Sequence, residues 1–147
     1  MTDETNAKVR ERMRLASAML EDADLLLRNG SRRSAANRAY YAVFHAARAL
    51  LTTKGLEARK HAGVRSFLDR EFVRTGQLDR SMSETYHDLF DWRTDADYRD
   101  FLDVPADIAP DLVARARTFV ATVRNVLTDG GWPTPACEPE PRSDPNA

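Results

Sequence analysis

Two glycines, Gly30 and Gly55, each close a segment in which apolar residues recur every three and four positions, and this pairing constrains the fold more than any other feature of the chain. From about Asn6 to Asn29 the apolar stripe is Val9, Met13, Ala16, Leu20, Ala23 and Leu27. That spacing keeps one face of a helix apolar, and glycine is the residue that most readily takes the left-handed conformation just past a helix end. A second helix, capped by Ser31 or Ser34, is expected to run to about Lys54 before Gly55. Two long helices joined by so short a turn must return on each other as an antiparallel hairpin.

The helical period continues, and no stretch shows the sustained alternation of a strand. A third helix is expected from about Arg59 to Thr75, burying Val64, Phe67, Leu68 and Phe72. A fourth, about Asp79 to Asp97, sets Met82, Tyr86, Leu89, Phe90 and Arg93 along one side. The loop DYRDFLDVPAD that follows is long for a compact bundle. Asp107 then caps a fifth helix to about Thr128, with Leu112, Ala116, Phe119, Val123 and Val126 inward. Past Gly130 and Gly131 the segment WPTPACEPEPRSDPNA is rich in proline and offers little to bury, as a disordered tail would. The expectation is an all-α, up-and-down bundle of about five helices over residues 1–129 and a disordered Pro-rich tail over residues 130–147. A chain of 147 residues can bury such a core without disulfides or a structural metal.

Cys137 is the single cysteine, so no intramolecular disulfide forms and a reducing compartment fits best. Apolar runs are short, and the start, MTDETNAKVRER, has no hydrophobic signal region. A soluble, cytoplasmic protein without membrane attachment is expected. The net charge of −1 argues against indiscriminate nucleic-acid binding, but its distribution is uneven. Residues 28–80 hold twelve Lys or Arg against four Asp or Glu, and residues 81–147 hold six against thirteen. Only three cations, Lys8, Lys54 and Lys60, are lysines. Guanidinium groups grip phosphate bidentately and stack on bases, so RNA or a nucleotide is a plausible partner; arginine on ordinary solvated faces is the plain alternative.

The second helix carries NRAYYAVFHAAR, residues 37–48. Ala36, Tyr40, Val43, Phe44, Ala47, Leu50 and Leu51 face the core, while Ala39, Ala42, Ala46 and Ala49 form a stripe where a neighbouring backbone could approach closely. The third stripe is Ser34, Asn37, Arg38, Tyr41, His45, Arg48 and Thr52, with no acidic residue. Solvated faces usually mix both signs, so this stripe reads as a cleft or a subunit contact. Seven residues return a helix to within about 20° of its starting direction, so Arg38 and His45 share a face and could reach one ligand. An imidazole exchanges protons near neutrality, an adjacent Arg keeps it unprotonated, and that Arg can hold phosphate; the same histidine could equally be an interface residue bonded to a neighbour. In WRTDADYRDF, Arg93 and Asp97 form an i, i+4 pair that is either a structural salt bridge or part of a polar site at the helix end with Asp95, Tyr98 and Arg99. No Gly-rich phosphate loop, HExxH motif or nucleophile elbow occurs, and His61 and His87 stand isolated, so neither metal nor cofactor is expected.

NRAYYAVFHAARALL, then KGLEARKHAGVRSFLDREFVRTGQL, then FDWRTDADY, in that order from about Leu15 to Leu127, resemble the HEPN domain family. The resemblance implies an up-and-down helical bundle, commonly a homodimer. It also implies a frequent partnership with a minimal nucleotidyltransferase as toxin and antitoxin. Many relatives are metal-independent ribonucleases whose motif is Arg, four to six residues, then His, paired across a dimer cleft. Arg38 and His45 satisfy that spacing on the second helix. The motif generally lies later in the bundle, where this chain has Arg93 followed by Asp97 and Tyr98 and no histidine, an Arg-x4-Tyr variant. A Tyr of pKa about 10 positions phosphate but is a poor general base at neutral pH.

Two functions follow as expectations. One is an RNA-cleaving or RNA-binding toxin in which Arg38 and Arg93 bind phosphate, Tyr41 and Tyr98 orient the substrate, His45 handles protons, and Asn37, Arg48 and Asp97 contact the substrate. The other is a non-catalytic module that binds a nucleotide or docks a nucleotidyltransferase, with the same polar stripe as its interface.

Overall fold

The structure, a computed structural model, describes residues 2–98 and 103–135, the side chains of residues 95–98 excepted. Its helices are α1 (Asp3–Arg28), α2 (Arg32–Thr53), α3 (His61–Leu68), α4 (Arg80–Tyr98) and α5 (Ile108–Asp129). There is no strand among the described residues. No helix among them is long and apolar enough to cross a membrane.

Helix α1 starts earlier than its apolar period suggests, because Thr2 supplies a cap: its hydroxyl accepts from the Thr5 amide at 3.1 Å, and Asp3 and Glu4 sit in the first turn against the positive end of the helix dipole. The helix ends as the sequence predicts. Gly30 has φ +76°, and the Ser31 and Gly30 amides donate back to the Leu26 and Leu27 carbonyls. Gly55, at φ +70°, closes α2 in the same way, with Leu56 donating to Leu51. Neither Ser31, the cap of α2, nor Asp107, the cap of α5, makes a side-chain capping bond.

Helix α2 lies at the centre of the bundle, packed by α1, α5, α4 and α3. Its alanine stripe explains how: Ala39, Ala42, Ala46 and Ala49 are all fully buried, and their small side chains let neighbouring helices close in. Arg12 to Thr52 and Asp22 to Arg38 pair α1 with α2 in opposite directions, and Asp24 to Arg117 and Ser17 to Arg124 do the same for α1 and α5. The third segment is not one continuous α-helix. It begins at His61 and passes into a π-helical turn, Asp69–Val73, where the Arg74 amide reaches five residues back to the Asp69 carbonyl. Leu68 and Phe72 stay buried through this change, while Phe67 is half-exposed.

The segment expected to leave the bundle at residue 130 begins instead as packed chain. The Trp132 amide donates to the Leu127 carbonyl at 2.9 Å and its ring packs on the core. Indole area outweighs the prolines that follow it, and the rest of that segment, residues 136–147, lies outside the described residues. At the other end of α5, Arg32 ties the approaching chain to the start of α2, donating to the Val104 carbonyl at 2.6 Å and pairing with Asp103 at 3.2 Å.

Candidate functional site

Helix α2, the chain entering α3 and helix α4 each bring aromatic or cationic side chains to one place. Helix α2 contributes Tyr40, Tyr41 and Phe44; the chain entering α3 contributes Arg59, Lys60, His61 and Ala62; and α4 contributes His87, Phe90 and Arg93. They line an open groove of about 630 Å³, and among the described residues no carboxylate lines it. In a chain of net charge −1, that cationic lining suits the groove to an anion.

Arg93 is held ready in this groove. Its Nη2 donates to the Tyr41 hydroxyl at 2.9 Å, and its guanidinium lies 5.0 Å from the centre of the Tyr41 ring and 5.3 Å from that of Tyr40. Stacking over two rings fixes the plane of the fork, and a fork of fixed plane is the form in which a guanidinium recognises phosphate. Burial is the main influence on the Tyr40 phenol and pushes it up to about 12, so it acts as a neutral hydrogen-bonding group.

Beside Tyr40 stands a histidine pair. The His61 ring is clamped between Phe90, at 3.7 Å and 9° between planes, and Tyr86, at 4.5 Å and 6°. Its Nδ1 meets the Tyr40 hydroxyl at 3.3 Å and its Nε2 meets His87 Nδ1 at 3.4 Å. His87 Nε2 lies 3.4 Å from Asp91 Oδ2. A chain of polar contacts thus runs from Tyr40 at the floor through both imidazoles to an exposed carboxylate. The pair corrects the expectation that His61 and His87 stand isolated. They are 26 residues apart in sequence but adjacent in space, because the start of α3 abuts the middle of α4. Among the described residues no group of three possible ligands could hold a metal.

Burial first, then the neighbouring His87, Arg65 and Arg93, lower the His61 pKa from 6.5 to about 4. Between those values the unfolded chain takes up a proton that the folded chain refuses, so stability is complete above about pH 6.5 and is lost as pH falls through 4. Partial exposure of the ring screens the effect, leaving on the order of 1–2 kcal/mol. Urea midpoints measured at pH 7.5 and pH 5 should fall less for His61→Gln than for wild type; equal falls would contradict the assignment.

The structure brings together Arg93 and Tyr41, and separates Arg38 from His45. Arg38, near the start of α2, bonds Asn37 Oδ1 at 3.1 Å and pairs with Asp22 at 4.0 Å, beside a polar depression of about 350 Å³ shared with Arg33 and Ser34. His45, two turns on, is half-buried against Tyr41 and Phe44. Burial, then Arg48 and Arg12, hold its imidazole below the usual value, and its Nδ1 is buried without a hydrogen-bond partner among the described residues. Arg48 stacks over Phe44 and shares Glu57 with Arg12. The acid missing from the α2 stripe is therefore supplied by other segments, Asp22 from α1 and Glu57 from the α2–α3 connection. Asp97 and Tyr98 fall at the end of α4, and their side chains, like Arg99 as a whole, lie outside the described residues. His61, His87, Arg59 and Lys60 are groove residues that sequence reasoning missed. The available signal was KHAGV opening one helix and HDLFDWR within the next, with His87, Phe90 and Arg93 at helical spacing.

Comparison with known proteins gives one family. A model of the HEPN domain matches residues 9–126. A UPF0332 protein of Thermotoga maritima is 36% identical over 116 residues, covering 79% of this chain and 88% of its own length. From Methanocaldococcus jannaschii, "Putative toxin MJ0605" is 33% identical over 129 residues, 84% of this chain and 95% of its own. "Putative toxin MJ0142" is 30% identical over 93 residues, 63% of each chain.

Proposed function

The chain belongs to the HEPN domain family, and on that premise we propose that it is the toxin-type component of a toxin–antitoxin-like pair and that its target is RNA. The observation that carries this reading is the groove whose described lining residues are aromatic and cationic, with Arg93 braced by Tyr41 over two tyrosine rings. A single RNA strand offers phosphates to a planar guanidinium and unstacked bases to aromatic faces, and the groove supplies both kinds of partner in one place. Arg59 and Lys60, exposed on its rim, add the sequence-independent attraction on which strand binding relies. Cleavage without a metal, a second copy of the chain and a nucleotidyltransferase-type antitoxin are what the family resemblance implies for the reaction and the partners. The names of the two M. jannaschii relatives agree with the toxin assignment.

The test is direct. Labelled single-stranded RNA of mixed sequence is titrated with the protein in chelator-containing buffer, following anisotropy for binding and gel mobility for cleavage. Saturable binding that weakens steadily with added salt is expected. Absence of binding at low salt would overturn the RNA assignment. Full competition by a mononucleotide at equal concentration would replace it with a nucleotide-binding role.

A further inference from the structure

We propose that His87 is the proton-transfer residue for RNA cleavage in the groove and that His61 is its positioning residue, an inference that rests on the RNA-directed reading above. The observation is the unbroken run of contacts from the Tyr40 hydroxyl to His61, from His61 to His87 and from His87 to Asp91. A surface i, i+4 pair of His87 and Asp91 accounts for the last of these contacts and not for the others.

The two imidazoles are not equivalent. His61 is locked between two stacked rings, and both its nitrogens face protein groups, so it has no edge left for a substrate. His87 has Nδ1 tied to His61 and Nε2 3.4 Å from Asp91 Oδ2, but that carboxylate is itself exposed, and the His87 side chain remains 38% exposed and lines the groove. A clamped ring bonded to Nδ1 fixes the orientation of the outer ring and leaves Nε2 at the exposed edge beside Asp91, as a second ring or a carboxylate does for histidines that work in catalysis and metal binding. A tyrosine hydroxyl both donates and accepts, so the run accommodates the arrangement cleavage needs: His87 Nδ1–H donating to His61 Nε2, and His61 Nδ1–H donating to the Tyr40 oxygen.

In that arrangement His87 Nε2 carries a lone pair, which the substrate hydroxyl reaches as the exposed Asp91 carboxylate gives way to it. It accepts the proton of a ribose 2′-hydroxyl as the 2′-oxygen bonds to phosphorus. The phosphorus–O5′ bond breaks, its electron pair leaves on O5′, and the proton held by His87 passes to that oxygen. The products are a 2′,3′-cyclic phosphate and a 5′-hydroxyl, and His87 returns to its neutral form. Asp91 stabilises the imidazolium formed in between. Arg93 lies six residues further along α4, about 9 Å along the helix axis, so it grips an adjacent part of the strand and not the proton being moved.

Cleavage of single-stranded RNA is followed under single-turnover conditions in chelator-containing buffer, with affinity measured separately by anisotropy. His87→Ala should lower the cleavage rate by about 100-fold or more while affinity stays within about three-fold. Added imidazole should restore part of the lost rate, which no purely structural role would produce. His61→Gln, whose amide can still meet His87 Nδ1, should retain more activity than His61→Leu at matched thermal stability. Wild-type RNA fragments should end in 2′,3′-cyclic phosphate. A His87→Ala rate within about three-fold of wild type would overturn the inference. Wild-type protein that binds RNA and leaves it intact would also overturn it, with the RNA reading still standing; protein that does not bind RNA would remove both. His87→Gln serves as the second variant should the alanine form lose its fold.

Discussion

Tyr86→Ala is expected to destabilise the protein by about 3–5 kcal/mol, because it opens a large cavity where three helices meet. Tyr86 is fully buried and is among the largest such side chains. Its ring stacks on His61 of α3 and faces Phe119 of α5 at 6.4 Å, and its hydroxyl donates to the His61 backbone carbonyl at 3.3 Å. His61 is also held by the Phe90 ring and the Tyr40 hydroxyl, so it cannot move into that space without releasing them. Natural domains are stable by about 5–15 kcal/mol, so the loss is a large share of the total. Tyr86→Phe keeps the ring and removes only the hydroxyl, at a cost of about 1 kcal/mol. Urea denaturation of the two variants separates the contributions. An alanine variant destabilised by less than about 1 kcal/mol would mean that the ring is not the joint described here. One side of the His61 clamp disappears with this ring, so the substitution should also loosen the groove.

The hairpin and the core were legible because they rest on local rules. Gly30 and Gly55 stop their helices by a conformation glycine adopts at little cost, and the buried stripe of α1 at Val9, Met13, Ala16 and Ala23 is the one its period marks. The alanine stripe of α2 announced close packing before any neighbour was known. Departures occur where a local rule met a tertiary one. The apolar period could not show Thr2 capping α1 ahead of its first inward residue, nor the π-helical turn after Leu68, since the residues on either side of that turn follow ordinary helical spacing. Trp132 was hidden by the glycines before it and the prolines after it, although a single indole can dock a segment onto a core.

For the site, angular arithmetic identified which residues share a face and could not identify what stands opposite. It placed Arg38 and His45 on one stripe of α2, but Asp22 engages the first and the environment of Arg12 and Arg48 surrounds the second. It read the stripe as lacking acid, which is true of α2 alone. The histidine pair was invisible for the converse reason. His61 and His87 belong to different helices, and their contact depends on how α3 is set against α4, which no single-helix period encodes. Arg93 was found from both directions, by its place on α4 and by the polar crowding around it, and the structure adds the partner, Tyr41, that gives its guanidinium a fixed plane.

That fixed plane makes the largest binding effect expected of the protein one that follows the shape of the cation as well as its charge. Arg93→Ala should weaken RNA binding by about 10- to 100-fold, the range for removing one charge-assisted hydrogen-bonded pair of about 1.5–3 kcal/mol. The dependence of log affinity on log salt should become shallower by about one unit, because one phosphate fewer is neutralised and its counterion stays in place. Arg93→Lys keeps the charge and should restore the salt slope but not the affinity. A lysine ammonium has no planar fork, and it forgoes the stacking over Tyr40 and Tyr41 seen at 5.3 and 5.0 Å. Arg38→Ala removes an equal charge from the separate depression at the start of α2 and should change affinity by less than about three-fold. Equal losses at Arg93 and Arg38 would show that RNA responds to the general positive field of the chain. A loss at Arg93 fully restored by lysine would show that charge, without the stacked geometry, is what the groove provides.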